Sequence, residues 1–166
     1  MRAGVALGSN LGNRLANLRN ARKDLAKLSG VLPPMRASAI YETEPVDCEP
    51  GATTFLNAVV ELEYSGPVLD LLRELRAIER RGGRPASPAR NLSRTIDLDL
   101  LYFGELEVET AELQLPHPRI ADREFVLRPL ADVRPDFILP KQTEPVGALL
   151  ARVPAGPAVV QIDAEW

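Results

Sequence analysis

TFLNAVVELEY, residues 54–64, alternates without a break. Leu56, Ala58, Val60, Leu62 and Tyr64 fall on one face of an extended chain, and Phe55, Asn57, Val59 and Glu61 on the other. One side is apolar throughout. The other carries an aromatic ring, a carboxamide and a carboxylate, so it is not purely a packing face. Downstream, Ser65-Gly66-Pro67 opens a helix whose Val68, Leu71, Leu72, Leu75 and Ile78 lie on one stripe. Upstream, Met35 to Thr43 reads as a strand, and Arg2 to Leu7, ending at Gly8, as a short buried one. Between them Leu15, Leu18, Ala21, Leu25 and Leu28 recur at helical spacing from Arg14 to Leu28, with Asn13 as N-cap and Gly30 just past the end.

The second half continues the alternation. Gly82 to Ser93 is a loop of Gly, Pro, Ala and Arg. Ile96 to Phe103 is a strand with Ile96, Leu98, Leu100 and Tyr102 on one face, turned back at Gly104 into a short partner from Leu106 to Val108. Arg123 to Val133 is a helix interrupted near Pro129. Short elements follow around Phe137 to Leu139, Val146 to Ala151 and Val159 to Ile162. Strand, helix, strand, strand, helix, strand is the order of an α+β, ferredoxin-like βαββαβ core, with additional short strands and helices, in a single domain over residues 1–166. The helices take one face of the sheet and leave the other for a site.

Composition narrows the function. A chain of 166 residues with 45% hydrophobic and 26% charged residues is an ordinary globular domain. The net charge of −3 argues against nucleic-acid binding through bulk charge. The lone cysteine, Cys48, excludes an intrachain disulfide, and no run approaches the ~20 apolar residues of a membrane helix. The first apolar stretch is too short for a signal peptide, so a cytoplasmic protein is expected. The 15 prolines punctuate apolar runs and suggest stiff loops.

RTIDLDL, residues 94–100, carries the chemistry. Asp97 and Asp99 are two apart on a strand and share a face, with Cα atoms ~6.6 Å apart. Such like charges repel, and a strand centre tolerates them best beneath a cation. Magnesium suits, because it prefers carboxylate and phosphate oxygens. The bland alternative is a solvated strand face. With no protein partner evident, neutralising one aspartate should leave the stability unchanged or raise it slightly. Arg80, Arg81, Arg84, Arg90 and Arg94 crowd into the adjoining stretch, and guanidinium groups bind phosphate in bidentate fashion. No Walker A pattern occurs. GSNLG at residues 8–12 is a tight turn first and a ligand edge second. His117, the only histidine, is held between two prolines, either as a surface residue or as a phosphate contact.

In this order the segments GSNLG (8–12), YETEPV (41–46), FLNAVVELE (55–63), IERRGGR (78–84), RTIDLDLLYFG (94–104) and LPHPRIADREFVLRPL (115–130) resemble the 6-hydroxymethyl-7,8-dihydropterin pyrophosphokinase family of folate biosynthesis. The resemblance implies transfer of pyrophosphate from ATP to the pterin hydroxymethyl group, with release of AMP. It implies Asp97 and Asp99 as ligands of two Mg2+ ions, and Arg84, Arg94 and Asp97 as catalytic residues. Glu79, Arg84, Arg94, His117 and Arg123 would line the nucleotide site. Phe55 and Phe125 would sandwich the pterin, Asn57 would bond its edge, and Thr43 and Val46 would add backbone contacts. The partners implied are the small molecules ATP and hydroxymethyldihydropterin, with no nucleic acid and no membrane, and the expected state is a monomer. Asn91-Leu92-Ser93 replaces the family's aromatic and Gly-Pro, and Ala86 stands where some members have an arginine.

Two rival readings stand beside it. One keeps ATP and magnesium but changes the acceptor. The other is a non-catalytic or RNA-binding domain of the same shape, which the lack of paired strand aromatics in an RNP pattern disfavours.

Overall fold

The computed structural model describes residues 1–45, 50–83, 93–154 and 156–166. Val46, Cys48 and Arg84, with most of the arginine-bearing loop, lie outside them. The elements run β1 (Arg2–Ser9), α1 (Arg14–Ala26), β2 (Val31–Ala37), β3 (Ile40–Thr43), β4 (Phe55–Tyr64), α2 (Val68–Arg81), β5 (Asp97–Phe103), β6 (Val108–Glu109), β7 (Gln114–Leu115), α3 (Glu124–Val133), α4 (Val146–Arg152) and β8 (Val159–Asp163). The main sheet is antiparallel, in the order β5-β1-β4-β3-β8, with β2 also on β4. β2 and β3 lie end to end along one edge of β4 and together take the place of one strand, so the ferredoxin-like core expected from sequence is present.

The expected strand from Met35 to Thr43 is broken in two. At Ser38 the chain changes course: its N–H donates to the Val59 carbonyl and its hydroxyl accepts from the Val59 N–H. These two bonds replace ladder pairing at that point. β2 instead starts at Val31 and carries the Pro33-Pro34 pair in an irregular stretch between Leu32 and Arg36, which spares the prolines from ladder bonding. The expected hairpin of β5 with Leu106–Val108 does not form. β6 pairs with β7 in a small sheet of its own. Pro129 does not interrupt α3; it is buried inside a continuous helix.

Each sheet face has its own core. The apolar stripe Leu56, Ala58, Val60, Leu62 and Tyr64 packs beneath α1 and α2 with Leu98 and Leu100. The Asn13 side chain accepts from the Ala16 N–H at 3.0 Å and caps α1, as its sequence position suggested. On the opposite face, Val126, Leu127 and Leu130 of α3 pack over Val59, Leu101 and Tyr102, with Val146 of α4 behind them. This corrects the expectation that one face would be left free: α3 covers half of it, and only the end near Gly8 stays open. Tyr102 also departs from its expected side. The register of β1 on β5 shifts between Gly4 and Val5, so that Leu101 is an extra residue. Tyr102 then joins the α3 face, while Phe103 returns to the face of Leu98 and Leu100.

The bulge seats a buried polar cluster. The Tyr102 hydroxyl donates to Glu61 Oε2 at 2.8 Å, and Arg134, just past α3, donates to the same oxygen at 2.6 Å. Arg134 lies 4.6 Å over the Phe137 ring, which packs 4.8 Å from Tyr102. Burial, then the Glu61 charge, pushes the Tyr102 hydroxyl well above its ordinary value, so it stays a donor. Gly4 is required here, because a Cβ on it would stand 2.2 Å from the Tyr102 ring. Glu61→Ala leaves a guanidinium and a hydroxyl without their acceptor in a dry setting, and should cost about 3 kcal/mol or more in urea unfolding. A loss below about 1 kcal/mol would show that the cluster does not hold α3 to the sheet.

Candidate active site

Strand register builds the open end of the second face. Gly8 of β1 is flanked by Asn57 of β4 on one side and Asp97 of β5 on the other, and Asn57 is in turn opposite Tyr41 of β3. Cross-strand partners point the same way, so Asp97, Asn57 and Tyr41 form one row across the sheet with Gly8 as its gap. A Cβ at Gly8 would meet Asn57 Oδ1 at 3.3 Å, the Phe55 ring at 3.8 Å and Asp97 Cβ at 3.9 Å. The floor between an aromatic ring, a carboxamide and a carboxylate is therefore bare backbone. Asn57 Nδ2 donates to the Thr43 hydroxyl at 2.7 Å, which fixes the amide. The Thr43 hydroxyl thus braces Asn57, in addition to the backbone contact with the ligand that the resemblance implies for Thr43. One row further on, Asp99 stands opposite Ala6, at the border of the α3 core.

Loops close around this floor. Asn10, nearly fully buried, ties three of them. Its N–H donates to the Arg94 carbonyl, its Oδ1 accepts from the Arg94 N–H at 2.7 Å, and its Nδ2 donates to Ser93 Oγ at 2.9 Å. The Thr53 hydroxyl donates to its carbonyl. The segment read from sequence as a tight turn first and a ligand edge second thereby fixes the entry to β5 and the approach to Phe55. Arg94 Nη1 lies 2.8 Å from Asp97 Oδ2, with both side chains 20% exposed.

A cleft of about 560 Å3 opens on the other side of β5, lined by residues that include Arg76, Glu79, Leu98, Asp99, Gln114 and His117. Glu79 is buried on α2 and accepts from the Leu98 N–H at 2.9 Å, so it braces β5 at the point between the two aspartates. Arg76 reaches Glu112 across the cleft at 2.8 Å. The His117 N–H donates to the Leu101 carbonyl, which holds this loop on the outer edge of β5. His117 Nδ1 accepts from the Arg119 N–H at 3.2 Å, which leaves Nε2 to carry the proton. Burial first, then Arg123 and Arg119, depress the imidazole from 6.5 to about 4, against an upward pull from Asp97. It is a neutral donor at physiological pH. Arg123, at the N-terminus of α3, lies 5.3 Å over the Phe125 ring.

The family model for 7,8-dihydro-6-hydroxymethylpterin-pyrophosphokinase (HPPK) matches residues 4–135. The chain belongs to this family. A Bacillus subtilis HPPK, named 2-amino-4-hydroxy-6-hydroxymethyldihydropteridine pyrophosphokinase, is 43% identical over 129 residues, 78% of this chain and 75% of that protein. A Synechocystis protein of the same name is 36% identical over 149 residues, 90% of this chain and 74% of its own length. Among solved structures, an HPPK-DHPS in complex with substrates superposes with a TM-score of 0.72 at 13% identity, over 90% of this chain and 42% of that one. A Plasmodium falciparum HPPK-DHPS gives 0.69 at 14% identity, over 91% of this chain and 45% of that one. The chain thus spans less than half of these fused proteins, and the likeness to them is one of fold.

Within this HPPK fold, Phe55, Asn57 and Asp97 converge on Gly8, while Glu79, Asp99 and His117 line the cleft. Arg94 stands beside Asp97, and Arg123 and Phe125 sit where α3 begins. Val46 and Arg84 lie outside the described residues. Sequence reasoning did not single out Gly8 as a floor, Asn10 as a tie or Arg76 as a cleft wall. GSNLG offered a signal for the first two, since a fully buried asparagine in a turn needs partners. It also missed the Arg94 partner of Asp97, because two residues at i and i+3 meet only once the chain turns into β5.

Two measurements follow. With Arg94 as partner, Asp97→Asn should lower the stability of the ligand-free protein by about 1 kcal/mol, contrary to the sequence expectation. Equal or higher stability would restore that expectation. His117 binds its proton at a lower pH in the folded than in the unfolded chain. Its contribution to stability is therefore full above pH 6.5 and is lost as pH falls toward about 4. The single imidazole resonance should titrate near the lower value in metal-free buffer, and His117→Asn should flatten the stability profile across that window.

Proposed function

We propose that the chain transfers the pyrophosphoryl group of ATP to the hydroxymethyl group of 6-hydroxymethyl-7,8-dihydropterin, releasing AMP, in folate biosynthesis. The observation that carries this reading is the row Asp97–Gly8–Asn57 beside Phe55, next to a nucleotide-sized cleft, in a chain of the HPPK family. A flat heterocycle rests on bare backbone at Gly8, stacks against Phe55 and is closed from above by Phe125. Asn57, held by Thr43, offers Oδ1 to its edge. The family resemblance adds a backbone contact from Val46, which lies outside the described residues.

ATP takes the cleft. Glu79 and His117 line its wall, with Nε2–H of His117 as a neutral donor and Arg123 nearby. Asp97 and Asp99 share a strand face, and Asp99 also lines the cleft; together they would supply the carboxylate part of a magnesium donor set that phosphate and water complete. The two residues would hold two Mg2+ ions there, and the bound metal would supply positive charge against the transferred phosphates. Arg94, already at Asp97, turns its guanidinium to a phosphate oxygen, joined by Arg84. In this reading Asp97 is the carboxylate near the acceptor hydroxyl and would take up its proton through metal-bound water. Phosphoryl transfer asks mainly for such positioning and charge, so no further base is needed. The proposal includes a single domain over residues 1–166, acting as a cytoplasmic monomer. Among the described residues no helix is long and apolar enough to cross a membrane.

Given magnesium, ATP and 6-hydroxymethyl-7,8-dihydropterin, the purified protein should release AMP and no ADP, and only when the pterin is present. Chromatography of the nucleotide products decides it. ADP alone would keep a phosphotransferase and discard the pyrophosphoryl reading. Asp97→Asn and Asp99→Asn should each lower turnover at least about a hundredfold while the protein stays folded. Turnover near wild type with magnesium would remove the metal role.

A further inference from the structure

We propose that Tyr41 and Asp132 are a positioning pair: their hydrogen bond sets the height of Phe125 above the sheet, and with it the width of the slot that takes the flat heterocycle. This rests on the functional reading above. Tyr41 is the β3 member of the site row, directly opposite Asn57, and Thr43, two residues on, is opposite Phe55. The Tyr41 hydroxyl donates to Asp132 at 2.8 and 3.0 Å, and the Ala39 N–H donates to Asp132 Oδ2 at 3.1 Å. Asp132 and Phe125 are seven residues apart on α3. That is nearly two whole turns, so both lie on one stripe of the helix about 10 Å apart. A constraint on Asp132 is therefore a constraint on the roll of the stripe that carries Phe125.

The Tyr41 bond adds to two other sets of contacts that hold α3. Val126, Leu127 and Leu130 bury it against the sheet, but apolar contact is non-directional. Arg134 pins its C-terminal end to Glu61 and limits sliding. The bond to Tyr41 is directional and ends on the strand that also fixes Asn57 through Thr43. Both walls of the slot are thereby referred to β3. Tyr41 is 4% exposed, and burial followed by Asp132 pushes its hydroxyl up to about 12, so the donor persists at any working pH.

The test is equilibrium titration of 6-hydroxymethyl-7,8-dihydropterin, with magnesium and a non-hydrolysable ATP analogue saturating, and of the analogue alone. It uses wild type, Tyr41→Phe, Asp132→Ala, the double variant and Asp132→Asn. Each of Tyr41→Phe and Asp132→Ala should weaken the pterin about tenfold and the analogue less than about twofold, and the double variant should be no worse than either. Asp132→Asn, which keeps an acceptor for the hydroxyl, should recover most of the loss. Variants that melt earlier yet bind the pterin as wild type does, or that lose both ligands equally, would overturn the proposal. Wild type that binds the analogue but no pterin would overturn the functional reading, and this inference with it.

Discussion

One backbone gap organises the site. Gly8 sits between β4 and β5 in the middle of the sheet, and the antiparallel register places Asn57 and Asp97 on either side of it. Adjacent strands lie ~4.8 Å apart, so the backbones of β4 and β5 stand roughly 10 Å from each other across β1. Asn57 and Asp97 lean in over Gly8, each within 4 Å of where a Gly8 Cβ would be, and leave bare backbone between them. Were the register of β5 on β1 to slip by one residue, Leu98 would replace Asp97 in the row and both carboxylates would turn into the α1–α2 core. Pairing, more than any single contact, decides that this face presents a carboxamide and a carboxylate around bare backbone.

The second face divides its length between packing and chemistry. From the Ala6–Val59–Asp99 row onward α3 covers it; before that row it is open. The bulge at Leu101 makes the division work. It brings two consecutive large residues, Leu101 and Tyr102, under α3, without altering the phase of Asp97 and Asp99 on the near side. Glu61 then gives α3 a fixed end through Arg134. A buried carboxylate shared by a tyrosine and an arginine adds little net stability against an apolar alternative, but it is directional, and direction is what a helix carrying site residues needs.

Alternation along 54–64 and 96–103 and helical spacing along 14–28 and 67–81 were enough to read the core from sequence, because each element buries a stripe whose period is local. The same local signal placed Phe55 with Asn57 and Asp97 with Asp99. What escaped depends on the chain meeting itself. The break at Ser38 comes from Val59, the phase change at Tyr102 from Gly4, and the cap on β5 from Asn10, each a partner far away in sequence. Pro129 misled for a related reason. Its cost within a helix is real, but its buried position in the α3 core offsets the lost backbone bond. The β6–β7 pairing has only two residues a side, too short for any periodicity.

β1 is hydrogen-bonded along both edges, and its Ala3, Val5 and Leu7 are essentially inaccessible to solvent. Amides in such a strand exchange with solvent only when the whole domain unfolds, whereas the loops tied by Asn10 belong to segments that open at far lower free energy. The floor of the site and its surrounding loops therefore live on different timescales. Opening of the periphery leaves the plane formed by Gly8, Asn57 and Asp97 in place, and that plane persists for as long as the fold does.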